Sequence, residues 1–111
     1  MTSTQYISLD LTTPTYPIVY SKTGDTSRQV VATLYNHGVE WNVPAGATGK
    51  VYAKDCAGNT YSSNTVSFSG NQATATLPAY SSIGIIPTEI QITANGVVST
   101  FNFKTVVYMS A

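Results

Sequence analysis

The sequence predicts an all-β fold: an immunoglobulin-like antiparallel β-sandwich of about seven to nine short strands. Three observations support this. Apolar and polar residues alternate in short runs, turn signals recur about every eight to twelve residues, and no segment has the periodicity of an amphipathic helix. The chain has 111 residues, enough for one domain. We therefore expect a single sandwich domain over residues 1–111, with an ordered core at about residues 6–108.

The N-terminal part begins with a half-buried strand, in which Ile7, Leu9 and Leu11 face the same way. Pro14 and Pro17 then interrupt the pattern. Proline has no N–H to donate to a neighbouring strand, so it is confined largely to edges and breaks. This region is therefore predicted either to be an edge strand or to break at the prolines.

The segment from Arg28 to Asp55 is predicted to form the centre of the sandwich. The first strand of this segment is fairly apolar on both faces, as is typical of a central strand. The segment is divided into a strand at 29–35, a tight turn at 36–38, a returning strand at 39–43, a corner at 44–47 and a strand at 48–54.

The C-terminal half alternates again, with one exception. Residues 78–87 lack strand alternation, and a single helical turn is expected near 80–83. Asn95-Gly96 is the strongest short hairpin signal, because both residue types tolerate positive φ. It separates a predicted strand at 88–94 from a long last strand at 97–108.

The inward positions of these strands define a predicted core. Trp41, the only tryptophan, is expected to be a central core residue. The predicted core residues are Val30, Ala32, Leu34, Trp41, Val51, Leu77, Ile90, Ile92, Phe101 and Phe103.

The composition is unusual in its low charge. The formal net charge is zero and charged residues make up only 9% of the chain, against about 25% in ordinary domains. Binding to nucleic acid or to an anionic membrane requires clustered positive charge, so neither partner is expected. A surface poor in charge has little electrostatic repulsion to prevent association with other molecules. It is typical either of a β-protein rich in Thr and Ser or of a subunit in a larger assembly.

The sequence contains no recognisable catalytic or metal-binding arrangement. His37 is the only histidine and lies in a predicted exposed turn, while Cys56 is nineteen residues further on, so the two cannot close a zinc site. Gly46 to Lys50 faintly resembles a phosphate loop, but it lacks the full spacing and a following helix. We expect no enzyme activity, no metal and no cofactor. The carboxylates are spread singly, at Asp10, Asp25, Glu40, Asp55 and Glu89.

Three further features bear on location. One cysteine excludes an internal disulfide, the start of the chain does not resemble a signal peptide, and the longest apolar runs are far too short to cross a membrane. Synthesis in a reducing cytosol is therefore expected.

The chain has eight tyrosines. Tyrosine fills strand surfaces, is enriched at protein interfaces and also packs against sugars, so all three roles stay open. Five tyrosines fall outside the predicted core faces and are the candidate interface residues: Tyr16, Tyr20, Tyr52, Tyr61 and Tyr80.

The order of turns and strands resembles the N-terminal domain of phage upper baseplate proteins of the BppU type, which also occurs as an anchor domain of tail and head fibre proteins. The resemblance covers about residues 6–108. It is carried by structural motifs: Gly24-Asp25, Leu34 to Gly38, Val43 to Thr48, Lys54 to Gly58, Leu77-Pro78, Pro87 to Ile92, Asn95-Gly96 and Phe101 to Val107.

This resemblance implies a function but no catalytic residues. It implies a non-enzymatic virion structural module that anchors a fibre or receptor-binding component to the baseplate, tail or capsid. Its partners would be other phage structural proteins in a multi-subunit assembly, and its location the virion after assembly in the host cytoplasm. The alternative is a carbohydrate-binding adhesion module that uses surface aromatics, with a host-surface glycan as partner.

Overall fold

A computed structural model describes residues 4–12, 15–26 and 28–109. In this part of the chain the fold is all-β, as predicted, and the two sheets form a sandwich. The strands are β1 (Thr4–Asp10), β2 (Ile18–Lys22), β3 (Gln29–Asn36), β4 (Val39–Glu40), β5 (Thr48–Lys54), β6 (Thr60–Ser63), β7 (Val66–Ser69), β8 (Gln72–Thr76), β9 (Gly84–Ala94) and β10 (Val97–Tyr108).

The strands divide between two five-stranded sheets. Sheet A has the order β1-β3-β8-β7, with β4 paired to β3, and sheet B has the order β2-β10-β9-β5-β6. The ten strands exceed the predicted number because several are only two to five residues long. The predicted strand at 39–43 is one of these, since β4 ends at Glu40.

The sheets are mixed rather than purely antiparallel. β1 runs parallel to β3, and β2 runs parallel to β10. Parallel neighbours need a crossover connection between them. For β1 and β3, the chain provides it by passing through β2 in sheet B before it returns to sheet A.

The proline-containing segment separates two edge strands, since β1 and β2 each lie at the end of their sheet. The edge prediction is therefore confirmed for the strands that flank this segment. Pro14 itself lies outside the described residues.

Two tight hairpin turns are built on positive φ angles. In the turn between β9 and β10, Asn95 has φ 52° and Gly96 has φ 78°, which confirms the predicted hairpin. His37 and Gly38 have φ 52° and 75° in the turn between β3 and β4. There the Asp10 carboxylate accepts hydrogen bonds from both backbone N–H groups, at 3.1 and 2.8 Å.

The core lies between the sheets. Nine of the ten predicted core residues are buried there, and Trp41 is the exception. Its indole is only partly buried, packing edge-on against Phe101 at 5.3 Å between ring centroids. Trp41 directly follows β4, whose two residues are themselves exposed, so the indole comes from a surface segment rather than from a strand whose inner face lines the core.

The connection between β8 and β9 was predicted wrongly. Residues 77–83 contain no helical turn; they lead from sheet A to sheet B. Tyr80 is therefore not a surface tyrosine: it is 1% exposed. Its hydroxyl lies 3.4 Å from those of Thr88 and Thr105, inside the core, and burial raises the pKa of Tyr80 above its usual value.

Gly49 marks a close approach between the sheets. A Cβ atom at this position would lie 2.7 Å from Cγ1 of Val66 and 2.8 Å from the ring of Phe68. A strand glycine commonly marks such a close approach. The predicted corner before it is also present, because Gly46 adopts φ 78° and is followed by strand β5 rather than a helix.

We predict that Gly49→Ala destabilises the fold by about 1–3 kcal/mol, because the added methyl group overpacks a filled interior. Urea unfolding followed by far-ultraviolet circular dichroism measures this. Ser67→Ala, on the exposed outer side of β7, is the control and should change stability little. Wild-type stability in Gly49→Ala would contradict the tight contact.

Candidate functional site

The outer face of sheet B carries a groove formed by β5, β9 and β10. Alternation along these strands buries one set of side chains and turns the other set outward. The register then aligns the outward residues across strands, because Glu89 is paired with Asn102 on one side and with Tyr52 on the other. One amide, one carboxylate and one aromatic ring thus form a continuous row.

A second row lies beside the first, in which Gln91 is paired with Thr100 and Lys50. The Gln91 amide donates a hydrogen bond to the Glu89 carboxylate at 2.7 Å, which joins the two rows. Because the carboxylate only accepts, Gln91 keeps its carbonyl oxygen free to face another donor.

The groove has a volume of about 600 Å³, within the range of sites for small ligands. A second depression of about 560 Å³ adjoins it and shares Tyr52 and Gln91. The groove is lined by Tyr16, Tyr52, Ala53, Lys54, Thr60, Pro87, Thr88, Glu89, Gln91, Asn102, Phe103 and Lys104.

Tyr16 lines the groove from an uncommon backbone conformation. Its φ is 48°, a left-handed value that bulky residues rarely adopt. The Lys104 ammonium lies 5.8 Å from the centre of the Tyr16 ring, and the Lys50 ammonium lies 4.6 Å from that of Tyr52. Both distances fit cation–π contacts. Two aromatic rings and two ammonium groups are thereby held along the same face.

The charge around the groove is unbalanced, although the chain as a whole is neutral. Of the four lysines in the sequence, Lys54 and Lys104 line the groove and Lys50 lines the adjoining depression. Glu89 is the one carboxylate among the lining residues. This part of sheet B therefore carries a local excess of positive charge.

The same face of sheet B carries an apolar patch at its other end, which we define as Ile18, Tyr20, Ile85, Val106 and Tyr108. Val106 is paired with Tyr20 on one side and with Ile85 on the other. Tyr20 stacks on Tyr108 with 6.0 Å between ring centroids and 12° between planes. All of these residues except the half-buried Val106 are largely exposed.

The candidate tyrosines therefore separate into three groups. Tyr16 and Tyr52 line the groove, whereas Tyr20 belongs to the apolar patch. Tyr61 and Tyr80 have internal roles: their rings are 5.1 Å apart, and the half-buried Tyr61 hydroxyl is engaged by Asp55 and Ser81, each at 2.9 Å.

Asp55 is the most strongly hydrogen-bonded carboxylate near this region. Only 7% of it is exposed, and it accepts backbone hydrogen bonds from Ala57 and Asn59 and side-chain bonds from Asn59 and Tyr61. Burial by itself would raise the pKa of Asp55, but hydrogen bonds from Tyr61, Asn59 and Ser82 outweigh this and lower the pKa to about 2. Asp55 therefore links the β5–β6 turn by hydrogen bonds to the loop between β8 and β9, which contains Ser82.

The remaining side chains that could act in catalysis or bind a metal do not form a cluster in the described part of the chain. His37 is exposed in its turn, and Cys56 is an exposed free thiol beyond the end of β5. Within residues 4–12, 15–26 and 28–109, no three His, Cys, Asp or Glu side chains are grouped so as to hold a metal ion. In the same ranges, no helix has the length and apolar character needed to cross a membrane.

The sequence matches no protein-family model, and no curated protein is significantly similar to it.

Sequence reasoning missed the polar residues of the groove: Glu89, Gln91, Asn102 and Lys104. Alternation does place them outward, because Ile90 and Phe103 point inward. The missing information was the pairing of β5 with β9, two strands that are far apart in the chain.

We predict that Asp55 makes stability depend on pH in the acid range. Its pKa is about 2 in the folded protein and 3.8 in the reference state. The stabilisation is therefore complete above about pH 5 and is lost progressively as the pH falls towards 2 and below. Asp55→Asn should lower the melting temperature at pH 7 and flatten its dependence on pH between about 5 and 2.

Thermal unfolding at a series of pH values provides the measurement. Glu40→Gln, which changes an exposed carboxylate in β4, is the control and should keep the wild-type melting temperature at pH 7. If Asp55→Asn retained the full acid sensitivity of the wild type, the role of Asp55 would be refuted.

Proposed function

We propose that this protein is a non-enzymatic phage virion module that anchors a fibre or receptor-binding component to the particle. The proposal begins from the resemblance of its turns and corners to upper baseplate anchor domains. The motif glycines occupy positions that favour glycine, since Gly24, Gly46 and Gly58 have φ of 76°, 78° and 90°. The shared motifs therefore describe a backbone framework, which is what an anchor domain has to provide.

The observation that carries the proposal is the apolar patch on sheet B. Exposed apolar clusters on soluble domains are typical of protein contact sites, and Tyr20 and Tyr108 supply the amphipathic aromatic surface that is enriched at interfaces. The surrounding chain is poor in charge, so little electrostatic repulsion opposes a partner at this surface.

Docking by the face of β2 is favoured over strand addition at its edge. Strand addition needs free backbone N–H and C=O groups. Here the Gln5 side chain donates to the Tyr20 carbonyl at 2.7 Å and accepts from the Tyr20 N–H at 2.8 Å. Since these backbone groups are already paired, the side chains of the patch offer the better contact surface.

We predict that the protein forms a complex with at least one virion protein encoded beside it, and that the double variant Tyr20→Asp, Tyr108→Asp weakens this complex at least about thirtyfold. An aromatic anchor at the centre of an interface is worth about 2 kcal/mol or more, so the loss of even one of the two corresponds to about thirtyfold. Size-exclusion chromatography with light scattering detects the complex, and biolayer interferometry measures its affinity.

Tyr6→Asp is the matched control, because Tyr6 is a tyrosine that is 78% exposed on sheet A. It should leave the affinity unchanged. A protein that stays monomeric with every neighbouring virion protein would overturn the proposal. Equal damage from Tyr6→Asp would show that the patch on sheet B is not the docking surface.

A further inference from the structure

We infer that the groove on the outer face of sheet B binds an acidic oligosaccharide, one whose sugars carry carboxylate groups. This goes beyond the anchoring function and depends on different residues from the apolar patch. The argument rests on the shape of the groove, on the chemistry of its floor and on its charge.

The groove has the shape of a site for an elongated ligand. It crosses three strands, β10, β9 and β5, and neighbouring strands in a sheet are about 4.8 Å apart. The adjoining depression extends it past Tyr52 and Gln91. A chain of several sugar rings could lie along such a track, whereas a compact metabolite would occupy only one part of it.

The floor of the groove provides the groups that recognise sugars. A sugar hydroxyl both donates and accepts hydrogen bonds. Glu89 supplies an acceptor, while the amides of Gln91 and Asn102 supply both donors and acceptors. The rings of Tyr16 and Tyr52 line the same groove, and the apolar face of an aromatic ring packs against the C–H face of a sugar ring.

The hydrogen bond between Gln91 and Glu89 orders these polar side chains of the groove before a ligand binds. Their 2.7 Å hydrogen bond fixes both side chains before any ligand arrives, which reduces the ordering that binding would require. The left-handed φ of Tyr16, 48°, is a further sign that a side chain is held in place, since strained backbone positions cluster at ligand sites.

The charge of the surroundings selects an acidic ligand. Lys54 and Lys104 line the groove, and Lys50 lines its extension. These ammonium groups can pair with carboxylates on the sugar chain, while Glu89 on the floor would repel an anion placed there. The acidic groups of the ligand therefore belong at the lysines, with hydroxyl groups over Glu89.

Other elongated ligands fit less well. A peptide added as a strand needs an open backbone edge, but β9 is paired on both sides from Thr88 to Thr93. β10 is covered by β2 at residues 104–108, and β5 is covered by β6 at residues 51–54. Single-stranded nucleic acid uses aromatic rings and positive grooves, yet its phosphates would have to pass the Glu89 carboxylate. An acidic sugar chain satisfies the rings, the amides and the lysines together.

The first test is a titration of the ¹⁵N-labelled protein followed by nuclear magnetic resonance. The acidic probes are 3′-sialyllactose and 6′-sialyllactose, each of which has one carboxylate on its terminal sugar and none on the other two rings. Lactose is their matched neutral partner, and an eight-nucleotide oligothymidylate is the polyanion control. We expect at least one acidic sugar to shift the amide signals of Glu89, Gln91 and Asn102, and its neutral partner to bind about three- to tenfold more weakly.

The second test uses variants of the groove. Tyr52→Ala should weaken binding of the acidic sugar at least about tenfold, because it removes the ring at the junction of the two depressions. Tyr6→Ala on sheet A is the matched control. The double variant Lys54→Gln, Lys104→Gln should reduce the preference for the acidic sugar over its neutral partner, because only Lys50 is left to pair with the carboxylate. Lys22→Gln is its control, because Lys22 is an exposed lysine of sheet B that does not line the groove.

Four results would overturn the inference. They are the absence of shifts with either acidic sugar, equal binding of the neutral partner, tighter binding of the oligothymidylate, and unchanged affinity in a folded Tyr52→Ala variant. Failure of the protein to form a complex with virion neighbours would not affect any of these measurements, so the two proposals can fail separately.

Discussion

The pairing of β9 with β10 is the interaction on which both faces of sheet B depend. These are the two longest strands, and they are joined by the Asn95-Gly96 turn, in which both residues have positive φ. A turn of this kind determines the register of a hairpin, and a slip of one residue would exchange its inner and outer side chains. In the observed register Phe101 and Phe103 enter the core, while Asn102 and Lys104 line the groove.

The interior constrains the same sheet from the other side. Phe101 and Phe103 share one core with small residues of sheet A, such as Ala73 and Ala75, and Gly49 allows Val66 and Phe68 to approach β5. Close packing of large against small side chains leaves no room for sheet B to shift. The outer face is therefore a rigid platform, which is favourable for a binding surface because little order has to be created when a ligand arrives.

The two proposed functions use different parts of the outer face of sheet B. The apolar patch lies towards the C-terminal end of β10 and is suited to a protein partner, whereas the groove lies further back along the same strand and carries lysines, amides and aromatic rings. The two regions meet near the pair formed by Lys104 and Pro87. A module anchored through the patch would keep the groove beside its partner, so that attachment and sugar binding would use a single sheet.

The sequence by itself determined the strands, the hairpin turns and most of the core, because alternation and glycine-bearing turns are local properties of the backbone. Only the tertiary structure decided which strands became neighbours. Glu89 meets Tyr52 through a pairing between distant segments, and Tyr80 is drawn inside because its segment passes between the two sheets. Trp41 is only partly buried, since it follows a two-residue strand that is itself exposed. Such contacts depend on how the whole chain packs, and no local pattern encodes them.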